Sequence, residues 1–361
     1  MKYLYIDNIR GIAILMIILK HSAREIEGIS VALRALSDYG QMGVQLFFLT
    51  SAFTLCLSYE RRIAERYATS NFYIRRFFRI APLYYIAILL YFCVATATGQ
   101  TDSGYGYPIY APGNVLANLL FVHGFYEPAN NNVVPGGWSI GTEMAFYAVF
   151  PLIAHLAQRL RAWHWKMVWV LPAAGVAIAQ GFNLLVLFSA GSSLSNNNFV
   201  YFSIFNQIPV FMLGIALFYS KVSLRPRSNT FAFVGLTLVT ISLWLLPVDY
   251  LLSVVPFVAG LSFVFLFSLF RQLKWMSCEV VGRIGVCSYG MYITHFLFAW
   301  YLPQYVLVPL LGGRILPDIL FWLTAVLAVL LSYALSQLLY RVAEAPAIGL
   351  GRLWTNKRGG A

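Results

Sequence analysis

His21 closes the apolar run from Gly11 to Lys20, in a segment otherwise composed like a membrane helix. Ionisable side chains at membrane depth are costly to keep, so one that is retained points first to function. An imidazole exchanges protons near neutral pH, which makes His21 a candidate general base. Arg10 stands eleven residues earlier. On a helix this spacing returns to within about 20° of the same face, roughly 16 Å along the axis. One stripe would then carry a fixed cation near one membrane surface and an acid/base group well inside. The structural alternative is that Arg10 snorkels to the interface while His21 bonds a neighbouring helix.

Two further clusters carry polar chemistry. In Phe72 to Tyr85, Arg76 and Arg79 stand three apart, so on a helix they share a face and can converge on one anion. Arginine offers planar, permanently charged donors suited to phosphate, although a basic helix start is also an ordinary cytoplasmic anchor. Glu143 lies on an apolar helix that begins near Gly136, four residues after Ser139 and on its face. A carboxylate there needs a partner. His21 or an arginine is the natural one, and a carboxylate can orient an imidazole that acts as base; a purely structural ion pair is the alternative. His295, in the apolar stretch after Cys287, either joins an acceptor pocket or is a satisfied core histidine. His123, His155 and His164 fall at loop or interface positions and support no chemistry. Arg341 and Glu344 form an ion-pair candidate where the last helix leaves the membrane. The four cysteines show no metal-ligand spacing, and no metal is expected.

These groups are positioned by membrane helices. The chain of 361 residues is 60% hydrophobic and only 11% charged, against roughly 25% charged for a soluble domain. Its net charge of +12 falls between apolar segments, where it sets topology and meets anionic lipid, so no nucleic-acid partner is expected. Ten stretches are long enough to span: 6–23, 42–59, 77–97, 138–157, 167–188, 199–219, 230–246, 251–270, 285–302 and 319–340. Basic residues crowd alternate loops: Arg61 to Arg79, Arg159 to Lys166, Lys221 to Arg227, and Arg271 to Arg283. The positive-inside rule places these loops and both termini in the cytoplasm. The expected fold is therefore an all-α, polytopic integral membrane protein with about ten transmembrane helices. A membrane domain would cover residues 1–345, followed by a short cytoplasmic tail, 346–361. The lysine and histidine at 20 and 21 interrupt the first apolar run, and no small-x-small cleavage site follows. That helix is expected to stay in the mature protein.

The loop 98–137 then faces outward. Its segment 114–125 is apolar but only twelve residues long, which suits an interfacial or re-entrant piece. Tyr105, Tyr107, Tyr110, Tyr126 and Trp138 could stack on sugar faces, although aromatic residues gather at membrane interfaces in any case.

Taken in order, the motifs resemble acyltransferase family 3, bacterial membrane O-acyltransferases of surface glycans and related acceptors. The likeness rests on Asp7 to Gly11 with His21, Gly43 to Phe53, Arg75 to Arg79 with Pro82, Trp138 and Ser139 with Glu143, Tyr289 to His295, and Glu344 to Pro346. Each piece is short; six in this order are specific, and they run nearly end to end. One departure is Ala52, where relatives more often carry glycine. Some relatives also append an extracytoplasmic esterase-like domain, for which this chain has no room.

The resemblance implies about ten helices, a bacterial cytoplasmic (inner) membrane location, and transfer of an acyl group, acetyl foremost, from cytoplasmic acyl-CoA to a glycan or glycolipid hydroxyl outside. Membrane lipid and polysaccharide-assembly proteins are the expected partners. Within that frame Arg10, Arg76 and Arg79 bind the CoA phosphates, and His21, oriented by Glu143, removes the acceptor proton. A transient acyl-histidine is the variant mechanism. The rival class is a transporter or flippase for a lipid-linked sugar or small anion, whose buried charges would line a path. No inverted repeat or paired broken helices support it.

Overall fold

A computed structural model of the chain describes residues 3–100, 102, 108–190, 198–220, 224–245 and 254–359. Among these residues the regular secondary structure is all helical, apart from one isolated bridge between Asp102 and Pro108. The helices are α1 (Leu4–Ser22), α2 (Val31–Gly40), α3 (Gly43–Glu60), α4 (Ala68–Thr98), α5 (Pro112–Leu119), α6 (Gly137–Trp163), α7 (Val170–Ala190), α8 (Asn198–Phe202), α9 (Ile204–Tyr219), α10 (Pro226–Leu245) and α11 (Val255–Gln272). They continue as α12 (Glu279–Val286), α13 (Ser288–Phe296), α14 (Val308–Leu311), α15 (Pro317–Leu339) and α16 (Ala345–Gly359). Wide π turns at Leu297–Tyr301, Pro303–Leu307 and Tyr340–Glu344 link the last of these. Helices dominate because hydrocarbon cannot satisfy backbone N–H and C=O groups, which must therefore pair within each segment.

Seven helices among the described residues are long and apolar enough to cross a membrane: Val31–Glu60, Ala68–Thr98, Gly137–Trp163, Trp165–Phe188, Asn198–Tyr219, Val255–Gln272 and Pro317–Lys357. The other three expected spans are helical too. One is α1, which carries Asp7, Arg10 and Lys20; one is α10; and the third is divided at Cys287 into α12 and α13. The apolar segment of the long loop forms only the eight residues of α5, about 12 Å of helix and too short to span.

Two compact units divide the chain. The first comprises residues 1–47 and 270–346, the second residues 48–269 and 347–361. In the first unit α1 packs on α12 at glycine distance. A Cβ added at Gly285 would collide with the Asp7 carbonyl. A small apolar cluster of Ala23, Ile26, Ile29, Leu307, Leu320 and Phe321 lies beyond the end of α1. The second unit is built around a buried aromatic core, with Phe146 stacked on Phe211 at 4.1 Å and Phe72 on Phe150 at 5.3 Å. The segment expected as a tail is helical here: Trp354 of α16 meets Phe78 of α4 at 5.6 Å, and Thr355 is buried.

Candidate functional site

In the first unit Arg10 and His21 lie on one unbroken helix, as their spacing predicted, with His21 in the last turn. The His21 ring is half-buried and faces Phe296 at 4.4 Å and His295 at 5.3 Å between ring centroids. Both flanking cations are engaged elsewhere. Lys20 Nζ is 2.6 Å from Asp38 Oδ1, and Arg24 lies 3.7 Å over the Trp300 ring while pairing with Glu25 at 3.2 Å. The imidazole therefore sits between aromatic faces and a second histidine, with its charged neighbours turned to other partners.

His295 is fully buried, and its Nδ1 lies 2.6 Å from the Tyr292 carbonyl oxygen. A carbonyl only accepts, so Nδ1 carries the proton. Nε2 has no hydrogen-bond partner among the described residues. His295 is thus a half-satisfied core histidine, placed one ring away from His21.

In the second unit Glu143 gathers hydroxyls. Ser51 Oγ and Tyr147 OH each donate to Glu143 Oε1 at 2.5 Å. Arg76 bonds Tyr147 through its side chain and interacts electrostatically with Glu143 and with Arg79. Its guanidinium carbon lies 5.7 Å from the Phe72 ring centre and 5.8 Å from that of Tyr147. The helical spacing of Arg76 and Arg79 thus puts two cations within electrostatic reach of each other, with Arg76 beside the Glu143 carboxylate. Ser51 is the partner that sequence reasoning missed. It lies in the quoted Gly43 to Phe53 motif, but only the packing of α3 on α6 brings it to Glu143.

His123 lies in the loop between α5 and α6, as expected, but buried. It is fully buried rather than at an interface, with Nε2 3.0 Å from the Gly137 carbonyl and 3.4 Å from Tyr84 OH. Tyr84 donates to Asn118 Oδ1 at 2.7 Å, and Asn130 donates to the His123 carbonyl. These bonds fasten the loop after α5 to α4 and to the start of α6, the helix that carries Glu143. Of the aromatic residues proposed as a sugar platform, Trp138 is buried and stacked on Phe202 at 4.3 Å, and Tyr110 donates to the Val133 carbonyl. Tyr126 is exposed, while Tyr105 and Tyr107 lie outside the described residues. His155 and His164 are exposed. Among the described residues no group of three or more His, Cys, Asp or Glu side chains could hold a metal ion.

A family model described as an acyltransferase domain matches residues 3–341. "Protein 2 in picA locus" of Rhizobium radiobacter is 29% identical over 161 residues, 41% of this chain and 81% of that protein. "Acyltransferase MdmB" of Streptomyces mycarofaciens is 28% identical over 158 residues, which cover 42% of this chain and 37% of that protein. No solved structure matches. Since the family model covers nearly the whole length, including Arg10, His21, Arg76, Arg79 and Glu143, the chain belongs to acyltransferase family 3.

Proposed function

We propose that this protein moves an acyl group, acetyl foremost, from acyl-CoA at the cytoplasmic face of a bacterial inner membrane to a hydroxyl of a cell-surface or exported glycan. Ten spans with both termini inside are part of the proposal, on the strength of the alternating loop charge. The observation that carries it is the Arg10 and His21 stripe: a proton acceptor among aromatic rings, on one continuous helix with a cation, in a chain of acyltransferase family 3. The roughly 16 Å between them is comparable to an extended pantetheine arm. Arg10, Arg76 and Arg79 are assigned to the CoA phosphates.

The chemistry balances without a cofactor. His21 takes the proton from the acceptor hydroxyl, and the oxygen attacks the thioester carbonyl. The C–S bond then breaks, and the CoA thiolate receives the proton from the His21 imidazolium. Glu143 is assigned as the second member of the catalytic unit, with Ser51 and Tyr147 holding its carboxylate in one orientation. The purified protein, given acetyl-CoA and a glycan bearing free hydroxyls, is expected to release CoA in proportion to ester formed. Thiol titration alongside NMR of the glycan measures both. Glycan-dependent ester formation that persists in His21→Ala, or no CoA release with any acyl donor and glycan pair, removes this reading.

A further inference from the structure

Among the described residues His295 has a ring nitrogen with no hydrogen-bond partner. Its ring is fully buried, Nδ1–H is committed to the Tyr292 carbonyl at 2.6 Å, and Nε2 is left with a bare lone pair. Leaving a buried acceptor unpaired costs about 1–3 kcal/mol, and replacing it with an apolar group of similar shape is often neutral. A core histidine kept only for packing would therefore have no reason to be a histidine. The polar ring beside it is that of His21, at 5.3 Å between centroids and tilted by 50°. A centroid separation of this size leaves room for a direct or one-water link between ring nitrogens. Its other ring neighbours include Phe296 at 4.2 Å and Tyr292 at 5.5 Å, and the Met291 backbone also lies close to it.

We propose that His295 is a positioning residue for His21: its Nε2 lone pair receives the N–H of the His21 ring, directly or through one water, and so fixes which His21 nitrogen stays free to take a proton. The Tyr292 carbonyl sets the tautomer of His295, and His295 sets the tautomer of His21. A neutral imidazole thus does the work that a carboxylate does in many catalytic triads. In the transfer step His21 gains the acceptor proton on its free nitrogen, keeps its other proton on the bond to His295, and returns the gained proton to the departing CoA thiolate. No proton is left on His295. This inference rests on the acyltransferase reading with His21 as base.

The test uses the full-length protein in micelles with ¹⁵N-labelled histidine. Wild-type His21 should show a single neutral tautomer. His295→Leu should convert it to the averaged signal of an unrestrained imidazole, and His295→Gln, whose amide oxygen can accept in place of Nε2, should restore the wild-type pattern. In the transfer assay His295→Leu should lower kcat by about 10- to 100-fold with KM for acetyl-CoA within about twofold of wild type, and His295→Gln should recover most of the loss. Thermal stability of His295→Leu should fall modestly, because the His21 N–H and the Tyr292 carbonyl lose their partner. A His21 signal indifferent to His295→Leu overturns the pairing, even in an active enzyme. A kcat indifferent to His295→Leu overturns its part in transfer. If the wild type proves inactive with every donor while the His21 signal still follows residue 295, the pairing stands and the acyltransferase reading alone falls.

Discussion

Glu143 holds two hydroxyl donors on one oxygen, and that shapes what its loss should do. In Glu143→Gln the amide oxygen still accepts from Ser51 and Tyr147, so the local structure should survive while the charge beside Arg76 disappears. Glu143→Leu would leave both hydroxyls and the Arg76 guanidinium short of a partner, which is the expensive way to break a buried cluster. The catalytic assignment makes a sharper prediction through a double-mutant cycle in the transfer assay. His21→Ala should abolish turnover. Glu143→Gln should cost about tenfold, and the double variant should be no worse than His21→Ala alone, because residues acting as a unit are not additive. Losses that multiply would show that the carboxylate acts independently of the histidine.

Helix contacts depend on small residues, because lipid removes the usual hydrophobic drive for helices to associate and leaves close packing to supply it. Ala52 of α3 lies against Gly214 of the facing helix α9. A Cβ at Gly214 of α9 would press into the Leu49 carbonyl and the Ala52 side chain of α3. Gly214→Leu should therefore destabilise the second unit by about 1–3 kcal/mol or more, seen as a lower melting temperature in detergent. Gly214→Leu combined with Ala52→Gly should recover part of the loss; an unchanged melting temperature for Gly214→Leu would mean that the two helices separate freely. The same element shows why the serine at 51 reaches Glu143: it is one residue before this close contact, on a helix that cannot move away.

At the scale of the whole molecule the open question is which loops face the cytoplasm, and a native cysteine can answer it. Cys278 is exposed at the start of α12, in one of the basic loops; Cys93 on α4 is exposed too and is replaced by serine for this test, while Cys56 and Cys287 are buried. Backbone N–H groups of Val281 and Val280 hold the Cys278 thiol below the ordinary cysteine range, outweighing desolvation and the Glu279 charge. A lowered pKa means more thiolate at a given pH, so alkylation of Cys278 should set in at lower pH than for an unperturbed thiol. Cys278→Ser should remove the fast phase. Under the cytoplasmic assignment an impermeant maleimide labels Cys278 only in inverted vesicles, and a cysteine introduced at Arg227 behaves the same way. Labelling of either site in intact cells overturns the topology.

Local periodicity and composition were enough to read the helical class, each of the apolar stretches, and the common face of Arg10 and His21, because a helix places its side chains by a rule that involves only near neighbours. The short, non-spanning nature of α5 followed from the length of its apolar run, and the motif order pointed to the family. Partner choice did not follow from any of this. Ser51 reaches Glu143 across 92 residues of chain, His123 is buried by a loop that folds back onto Tyr84 and Gly137, and His295 keeps a bare nitrogen one ring away from His21. A hydrogen-bonding group carries the same label in the sequence whether it ends satisfied, unsatisfied or shared. Which of these occurs is settled by packing between segments distant in the chain, and only the tertiary structure decides that.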